Sequence, residues 1–346
     1  MRNGIKCLVW DLDNTLWRGT LLESDRCRLR PGVGAVVREL DRRGVLQSVA
    51  SRNDPELALD VLRRKALASF FLFPQIGWES KVRAVRAIAD RLGIALDTVG
   101  LIDDEPFERE QVERLLPGVR AYPAEAYRRL PMRDEFRPTV LSSESRSRRL
   151  TYRGLGEREA AGTRSGMSQS EFLAWCRTEL TIRHARPEDL PRIQELLQRT
   201  HQLNATGIVW PPAAIAGWLA DGQWRVFVAE LRDRFVDYGR IGVAACRRAP
   251  DRWELVAFML SCRVLARGIA GLLLAWVRCA AARDGAATVV ARYRPGPRNQ
   301  AMERLFRVAG LVDRIDDRAG ALRLAGPSLA TMTVPRWLTV HDGDAR

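Results

Sequence analysis

Through the first 122 residues, apolar and polar positions alternate between two periods. "KCLVWD" (6–11) is a continuous apolar run ending in acid, the pattern of a buried strand. "GAVVRELDRRG" (34–44) then places apolar residues on one helical face and closes on Gly44. The alternation continues as a strand at 45–51, a helix at 55–65 with Pro55 in its first turn, and a short strand within 69–77. A helix at 80–93, a strand at 98–104 and a last helix and strand follow. Strands alternating with helices predict a parallel sheet covered on both faces, whose ligands sit beyond the carboxyl ends of the strands.

Residues 131–168 carry Ser and Arg clusters and few apolar positions, which predicts a linker with a solvated helix near 145–160. From 179 the pattern changes: a strand, a helix, the polar turn "HQLNATG" (201–207), a helix, and strands at 223–229, 239–246 and 252–260. A helix at 267–283, the strand "ATVVARY", a helix at 298–308 and a terminal strand complete it. The expected organisation is an α/β domain over 1–130, a polar linker over 131–178, an α+β domain with a mainly antiparallel sheet over 179–325, and a tail over 326–346.

Length and composition fit this picture: 346 residues, 46% hydrophobic and 28% charged, are enough for two cores in a soluble globular chain. The N-terminus lacks a signal-peptide pattern, and the most apolar stretch, "IAGLLLAWVRCAAA" (269–282), is short and interrupted by Arg278. The expectation is a cytoplasmic protein without a membrane segment. A net charge of +14 raises nucleic acid as a partner, but the basic residues are spread along the chain and interleaved with acids. They are nearly all Arg, since only Lys6, Lys65 and Lys81 are lysines, a bias that points to genome composition more than function. No nucleic-acid partner is therefore expected, and a basic surface would suit an acidic protein partner equally well. Six cysteines, at 7, 27, 176, 246, 262 and 279, show no zinc spacing.

The chemistry gathers at strand ends. "DLD" (11–13) ends the first strand, "SRND" (51–54) the second, and "DDEP" (103–106) the strand near 98–102. Strand alternation sends Asp11 and Asp13 to the same side. Two like charges so placed call for a cation between them or a proton on one. In a parallel sheet all three ends meet at one edge.

Four separated motifs in this order, "DLDNT" (11–15), Ser51, Lys81 at a helix start and "DD" (103–104), resemble the haloacid-dehalogenase-type (HAD) phosphatase superfamily. The resemblance implies a Rossmann-like, cap-less domain in which Asp11 attacks phosphorus and becomes an aspartyl-phosphate. Asp13 would then protonate the leaving oxygen and deprotonate water. It implies Mg²⁺, a hard cation preferring oxygen, on the carboxylates of Asp11 and Asp103 and the backbone carbonyl of Asp13, with Asp104 as a further candidate. Asp104 could instead orient Lys81 or cap the next helix. The implied phosphate-binding residues are Thr15, Ser51, Arg52, Asn53 and Lys81.

Residues 179–325 resemble the GNAT acyltransferase fold through "RVLARGIAG" (263–271), a glycine-containing turn opening a helix after a strand. The resemblance implies that Arg263, Arg267, Gly268 and Asn299 hold a pantetheine arm, with Phe306 beside it. The fusion of the two, with "SVASRND", "FPQIGWESK", "HQLNATG" and "FMLSCRV", resembles the FkbH-like family of polyketide pathways. That family implies transfer of a glyceryl unit from 1,3-bisphosphoglycerate to an acyl carrier protein with loss of phosphate; "LWRGTLLESD" (16–25) looks like the branch supplying methoxymalonyl units. Cys262 is then the candidate thiolate carrier of the acyl group, activated by a helix N-terminus and neighbouring arginines, and His201 its candidate base. Competing readings are a plain Mg²⁺-dependent phosphatase with a non-catalytic second domain, a CoA-dependent acyltransferase, and an Arg-rich adaptor for an acidic carrier protein.

Overall fold

A computed structural model describes residues 4–23, 27–200, 202–264, 267–296, 299–316 and 322–345. The chain divides into two compact units, Met1–Gly154 and Leu155–Arg346.

The first unit is α/β. Its strands are β1 (Cys7–Trp10), the hairpin β2 (Trp17–Arg18) and β3 (Arg28–Leu29), β4 (Leu46–Ser51), β5 (Gln75–Ile76), β6 (Val99–Asp103) and β7 (Arg120–Pro123). Its helices are α1 (Val33–Arg42), α2 (Pro55–Arg64), α3 (Lys81–Leu92), α4 (Pro106–Leu115) and the short α5 (Ser143–Arg146). Five strands form one parallel sheet in the order β5-β4-β1-β6-β7, with Val9 opposite Ser48 on one side and Leu101 on the other. The continuous apolar runs of β1, β4 and β6 are fully buried because both faces are covered. Leu8, Trp10 and Val49 pack with α1 and α2, while Cys7, Val9 and Ala50 pack with α3 and α4. Local signals set the helix ends. Asp54 accepts a hydrogen bond from Leu57 N at 2.9 Å to start α2, and Ser80 and Gly93 bound α3.

The second unit is α+β around an eight-stranded mixed sheet. Three helices precede the strand-rich part: α6 (Arg148–Ser165), which crosses the unit boundary, then α7 (Gln169–Trp175) and, after β8 (Thr178–His184), α8 (Leu190–Arg199). Then come α9 (Pro212–Ala220), β9 (Trp224–Arg232), β10 (Asp237–Arg248), β11 (Arg252–Leu260), α10 (Ile269–Arg283), β12 (Thr288–Tyr293), α11 (Gln300–Val308), β13 (Asp313–Asp316), β14 (Leu322–Pro327) and β15 (Leu338–Asp342). The order is β13-β14-β12-β11-β10-β9-β8-β15, antiparallel except for β11–β12 and β8–β15. Leu272, Leu273 and Phe306 of α10 and α11 cover one face; Ile193, Leu196 and Ile215 of α8 and α9 cover the other. No helix among the described residues is long and apolar enough to cross a membrane.

Two boundaries differ from the sequence-based expectation. The segment read as a linker over 131–178 is divided between the units. Its first part is tied down by polar contacts that hydrophobic periodicity cannot reveal: Ile5 N donates to Glu135 O at 2.7 Å, Arg149 pairs with Asp41 at 2.9 Å, and Tyr152 donates to Leu92 O at 3.1 Å. Gly44, at φ 69°, lets the chain pass close by, since a Cβ there would lie 2.5 Å from Ser145 O. The segment read as a tail over 326–346 supplies β15, which adds a parallel strand outside β8 with Val340 opposite Leu180. Its short, half-exposed run carries too little apolar signal to mark an edge strand.

Candidate active site

β1 ends at Trp10, and Asp11 continues the strand by donating its N–H to Ile102 O at 2.9 Å. Beyond it the period-two rule no longer applies, and the two aspartates meet separate partners. Asp11 is buried and accepts from Lys81 Nζ, the first residue of α3. Lys81 also donates to Ala50 O at 2.7 Å and lies 2.9 Å from Asp103 Oδ2 at the end of β6. Burial pushes the Asp11 carboxyl up to about 6, with Asp103 adding to the rise and Lys81 opposing it. Burial pulls Lys81 down, but Asp11 and Asp103 outweigh it and the ammonium is held above its ordinary range.

Asp13 is fixed from three directions. Its Oδ1 accepts from Trp17 Nε1 at 2.7 Å and from Leu21 N at 3.2 Å, and its Oδ2 from Asn53 Nδ2 at 3.0 Å. The β2–β3 hairpin, absent from the sequence-based reading, therefore supplies Trp17 as a clamp on Asp13. Thr15 and Asp104 form a reciprocal pair: Thr15 Oγ1 donates to Asp104 Oδ1 at 3.0 Å and accepts from Asp104 N at 3.0 Å. Asp104 thus neither bonds Lys81 nor caps α4, whose N-cap is Glu105. Burial raises the Asp104 carboxyl, against the Thr15 hydrogen bond.

Asp11, Asp103 and Asp104 each offer an oxygen, and these atoms lie within 4.8 Å of one another. Asp103 Oδ2 accepts no well-directed hydrogen bond despite its nearness to Lys81, so a buried oxygen has a lone pair to spare. Three hard oxygen donors facing a single buried lysine fit a divalent cation such as Mg²⁺. The Asp13 carboxylate is outside this cluster.

The residues expected on the phosphate divide. Lys81 is in the cluster, and Ser51, the last residue of β4, keeps a hydroxyl without a hydrogen-bond partner among the described residues. Thr15, Asn53 and Arg52 are committed elsewhere, to Asp104, Asp13 and Glu108 respectively. Sequence reasoning missed Arg109, whose Nη1 donates to the carbonyls of Asp103 and Asp104 at 2.8 Å each and shapes the turn carrying both acids. It also missed Trp17 and Glu108. The only signal for these was their place within a few residues of a motif.

In the second unit, β11 and β12 pair only from Arg252–Thr288 to Leu255–Ala291, then part. Residues 203–205 fill the gap. Ala205 N donates to Phe258 O at 3.0 Å, Leu260 N to Leu203 O at 2.9 Å, and Arg294 N to Ala205 O at 2.9 Å. Asn299 locks the insertion. Its Nδ2 donates to Asn204 O at 3.1 Å and Arg294 O at 3.0 Å, while its Oδ1 accepts from Gly296 N at 2.9 Å. Phe306 is fully buried against Phe258 and Tyr293.

The pantetheine set therefore does not fit as expected. Asn299 has spent its side chain on the fold and Phe306 is core. Arg267 donates to Tyr238 Oη at 2.7 Å and lies 3.5 Å from Asp233. Arg263 Nε donates to Ser261 Oγ at 3.1 Å. Gly268 opens α10 at φ 69° with no side-chain cap, so its role here is conformational. Cys262 is a half-buried free thiol on a short 3₁₀ turn after β11, and α10 begins only at Ile269. His201 lies outside the described residues.

No family model matches the sequence, and no curated protein matches it. Among solved structures, the N-terminal part of BF1531 from Bacteroides fragilis, containing a phosphatase domain complexed with Mg, is 28% identical over 36% of this chain and 38% of that chain, with a TM-score of 0.33. The ribosomal-protein-S18-alanine N-acetyltransferase of Escherichia coli is 18% identical over 45% of this chain and 97% of its own, with a TM-score of 0.35. The PaiA N-acetyltransferase of Thermoplasma acidophilum, in complex with coenzyme A, is 14% identical over 43% of this chain and 98% of its own, with a TM-score of 0.33.

Proposed function

We propose that the first unit is a divalent-metal-dependent phosphoryl-transfer enzyme that works through Asp11. The observation that carries this is the gathering of Asp11, Asp103 and Asp104 at two adjacent strand ends around buried Lys81. An Asp11 carboxylate oxygen attacks phosphorus, and the bond to the leaving oxygen breaks as Asp13 gives that oxygen a proton. Asp13 then takes a proton from water, whose oxygen attacks the aspartyl-phosphate; phosphate departs and Asp11 is regenerated. Lys81 and the Ser51 hydroxyl meet the phosphoryl oxygens. Asp11, Asp103 and Asp104 would hold Mg²⁺, which would supply the positive charge that lets carboxylates and phosphoryl oxygens approach.

The resemblance of both units to the FkbH-like family extends this reading to glyceryl transfer. The Cys262 thiolate would attack the acyl carbonyl of 1,3-bisphosphoglycerate, the bond to the 1-phosphate would break, and the 3-phosphate would be removed through Asp11 of the first unit. The phosphopantetheine thiol of an acyl carrier protein would then take the glyceryl unit by thioester exchange. The free, half-buried Cys262 supports this; the occupied edge of β11 requires the arm to approach without pairing to that strand. Intact mass of a holo acyl carrier protein, incubated with the protein, Mg²⁺ and 1,3-bisphosphoglycerate, tests it. The expected product is a glyceryl adduct with wild type, a phosphoglyceryl adduct with Asp11→Asn, and none with Cys262→Ser. An adduct persisting with Cys262→Ser removes Cys262 from the reaction. Phosphate release from simple phosphoesters without any adduct leaves a phosphatase alone.

A further inference from the structure

Asp103 and Asp104 are neighbours in sequence, yet both carboxylates reach the one cluster with Asp11. In an extended strand, successive side chains and successive carbonyls point to opposite sides. β6 stops at Asp103, and the backbone has to leave its extended course there for the two acids to converge. Thr15 holds the side chain and amide of Asp104, and Glu105 N donates to Asp103 Oδ1 at 2.9 Å. The two carbonyls are held by Arg109. A single nitrogen, Nη1, donates to Asp103 O and to Asp104 O at 2.8 Å each, a geometry open only to a chain whose successive carbonyls turn the same way.

Nothing local favours that choice. Arg109 is the fourth residue of α4, in the turn where the helix dipole opposes a cation. Glu105 stands four positions before it, the order and spacing that favour an ion pair, yet Arg109 forms no ion pair among the described residues. Charge-assisted hydrogen bonds that a carboxylate could have taken go instead to the backbone of two acids of the cluster. We propose that Arg109 is a positioning residue for the divalent cation, clamping the 103–104 turn so that the site is tilted toward Mg²⁺ relative to Ca²⁺. Mg²⁺ demands near-ideal octahedral oxygen geometry, whereas the larger Ca²⁺ accepts looser and more varied arrangements. A stiff turn serves the first ion; a slack one costs the second less. The inference rests on the phosphoryl-transfer reading and names what tunes the metal of that site.

The test is calorimetric titration of the chelator-stripped full chain with Mg²⁺ and, separately, with Ca²⁺. Arg109→Met should weaken Mg²⁺ binding about 10- to 100-fold, the usual cost of losing an outer partner of a metal ligand, and Ca²⁺ binding by less. The ratio of Mg²⁺ to Ca²⁺ affinity therefore falls. Arg109→Lys, which keeps a cation and a donor, should recover part of that ratio. The sign is decisive, because removing a positive charge beside the site would by itself tighten both ions. Unchanged or tighter Mg²⁺ binding by Arg109→Met, or equal losses for the two ions, overturns the inference and leaves the phosphoryl-transfer reading intact. Circular dichroism and a urea midpoint establish that each variant is folded. If Arg109→Met is not, Arg109→Gln, too short to span both carbonyls, takes its place with the same expected and overturning outcomes. A folded wild type that binds neither ion overturns both readings.

Discussion

Asp11 and Asp103 in the first unit share one buried lysine, with Asp104 beside them bonded to Thr15, whereas in the second unit Asp189, with a fully buried side chain, meets two arginines and a backbone amide. Arg183 donates to it at 2.7 and 3.0 Å, Arg240 at 2.9 Å and Arg186 N at 2.8 Å. Asp233 is likewise matched, by Arg158 at 3.2 Å and by the Tyr238 hydroxyl at 2.9 Å. Both units bury carboxylates at a cost that must be met by partners. The second meets it internally. Around Lys81 the first leaves acid in excess and Asp103 Oδ2 without a directed donor, and burial raises both Asp11 and Asp104. Charge that a fold leaves unbalanced is charge kept for a ligand.

The sharpest way to break this comparison is Asp11→Asn. On the proposed mechanism this removes the nucleophile, and phosphate release should fall by about 10³-fold or more. Yet the same change relieves like-charge crowding, so the first unit should melt higher than wild type in metal-free buffer. Mg²⁺ should raise the wild-type melting temperature and move that of Asp11→Asn much less, as linkage requires when a ligand is lost. Calorimetry with and without chelator checks both. A variant that melts lower without metal would show the cluster to be as self-satisfied as the one around Asp189.

That contrast was only half legible in the sequence. The strand ends "DLD", "SRND" and "DDEP" announce the acids, and buried runs with helical periods between them place all three at one sheet edge. The partners were not legible, because they are long-range and polar. Thr15 and Asp104 lie 89 positions apart, and Asn53 and Asp13 lie 40 apart. Nothing in spacing tells a hydroxyl that binds phosphate from one that holds a carboxylate. In the second unit the glycine turn at Gly268 was visible, but the insertion of 203–205 between β11 and β12 was not. "LNAT" has neither the length nor the alternation of a strand, and its register comes from Asn299.

Asp189→Asn sharpens the other side of the comparison. Burial alone would raise this carboxyl, but Arg183, the Arg186 amide and Arg240 outweigh it and hold it below the usual carboxylate range. A folded-state value below the unfolded one contributes stability above the unfolded pKa, and that contribution fades as pH falls through the folded value. Leaving the arginines without their acid should cost about 3–5 kcal/mol at neutral pH. The gap between wild type and variant in urea unfolding should narrow as pH drops below the ordinary aspartate range of about 4. A gap that stays constant down to acid pH would mean that packing, not charge, is lost.

The smallest expected effect is the most informative about the second unit. Asn299→Ala removes the side chain that bonds Asn204 O, Arg294 O and Gly296 N, at a cost of about 1–3 kcal/mol. The loss should be local. Hydrogen exchange should speed up at Leu260 and Arg294, whose amides bond Leu203 O and Ala205 O, while the amide of Asp11 in the first unit keeps its protection. If Leu260 and Arg294 stay protected, the 203–205 segment is held by its strand pairing alone. Asn299 would then be dispensable to the fold, its bonding a resting arrangement, and its amide open to a pantetheine arm as the sequence suggested. If they lose protection, Asn299 belongs to the fold, and an arm that reaches Cys262 must be recognised by other residues.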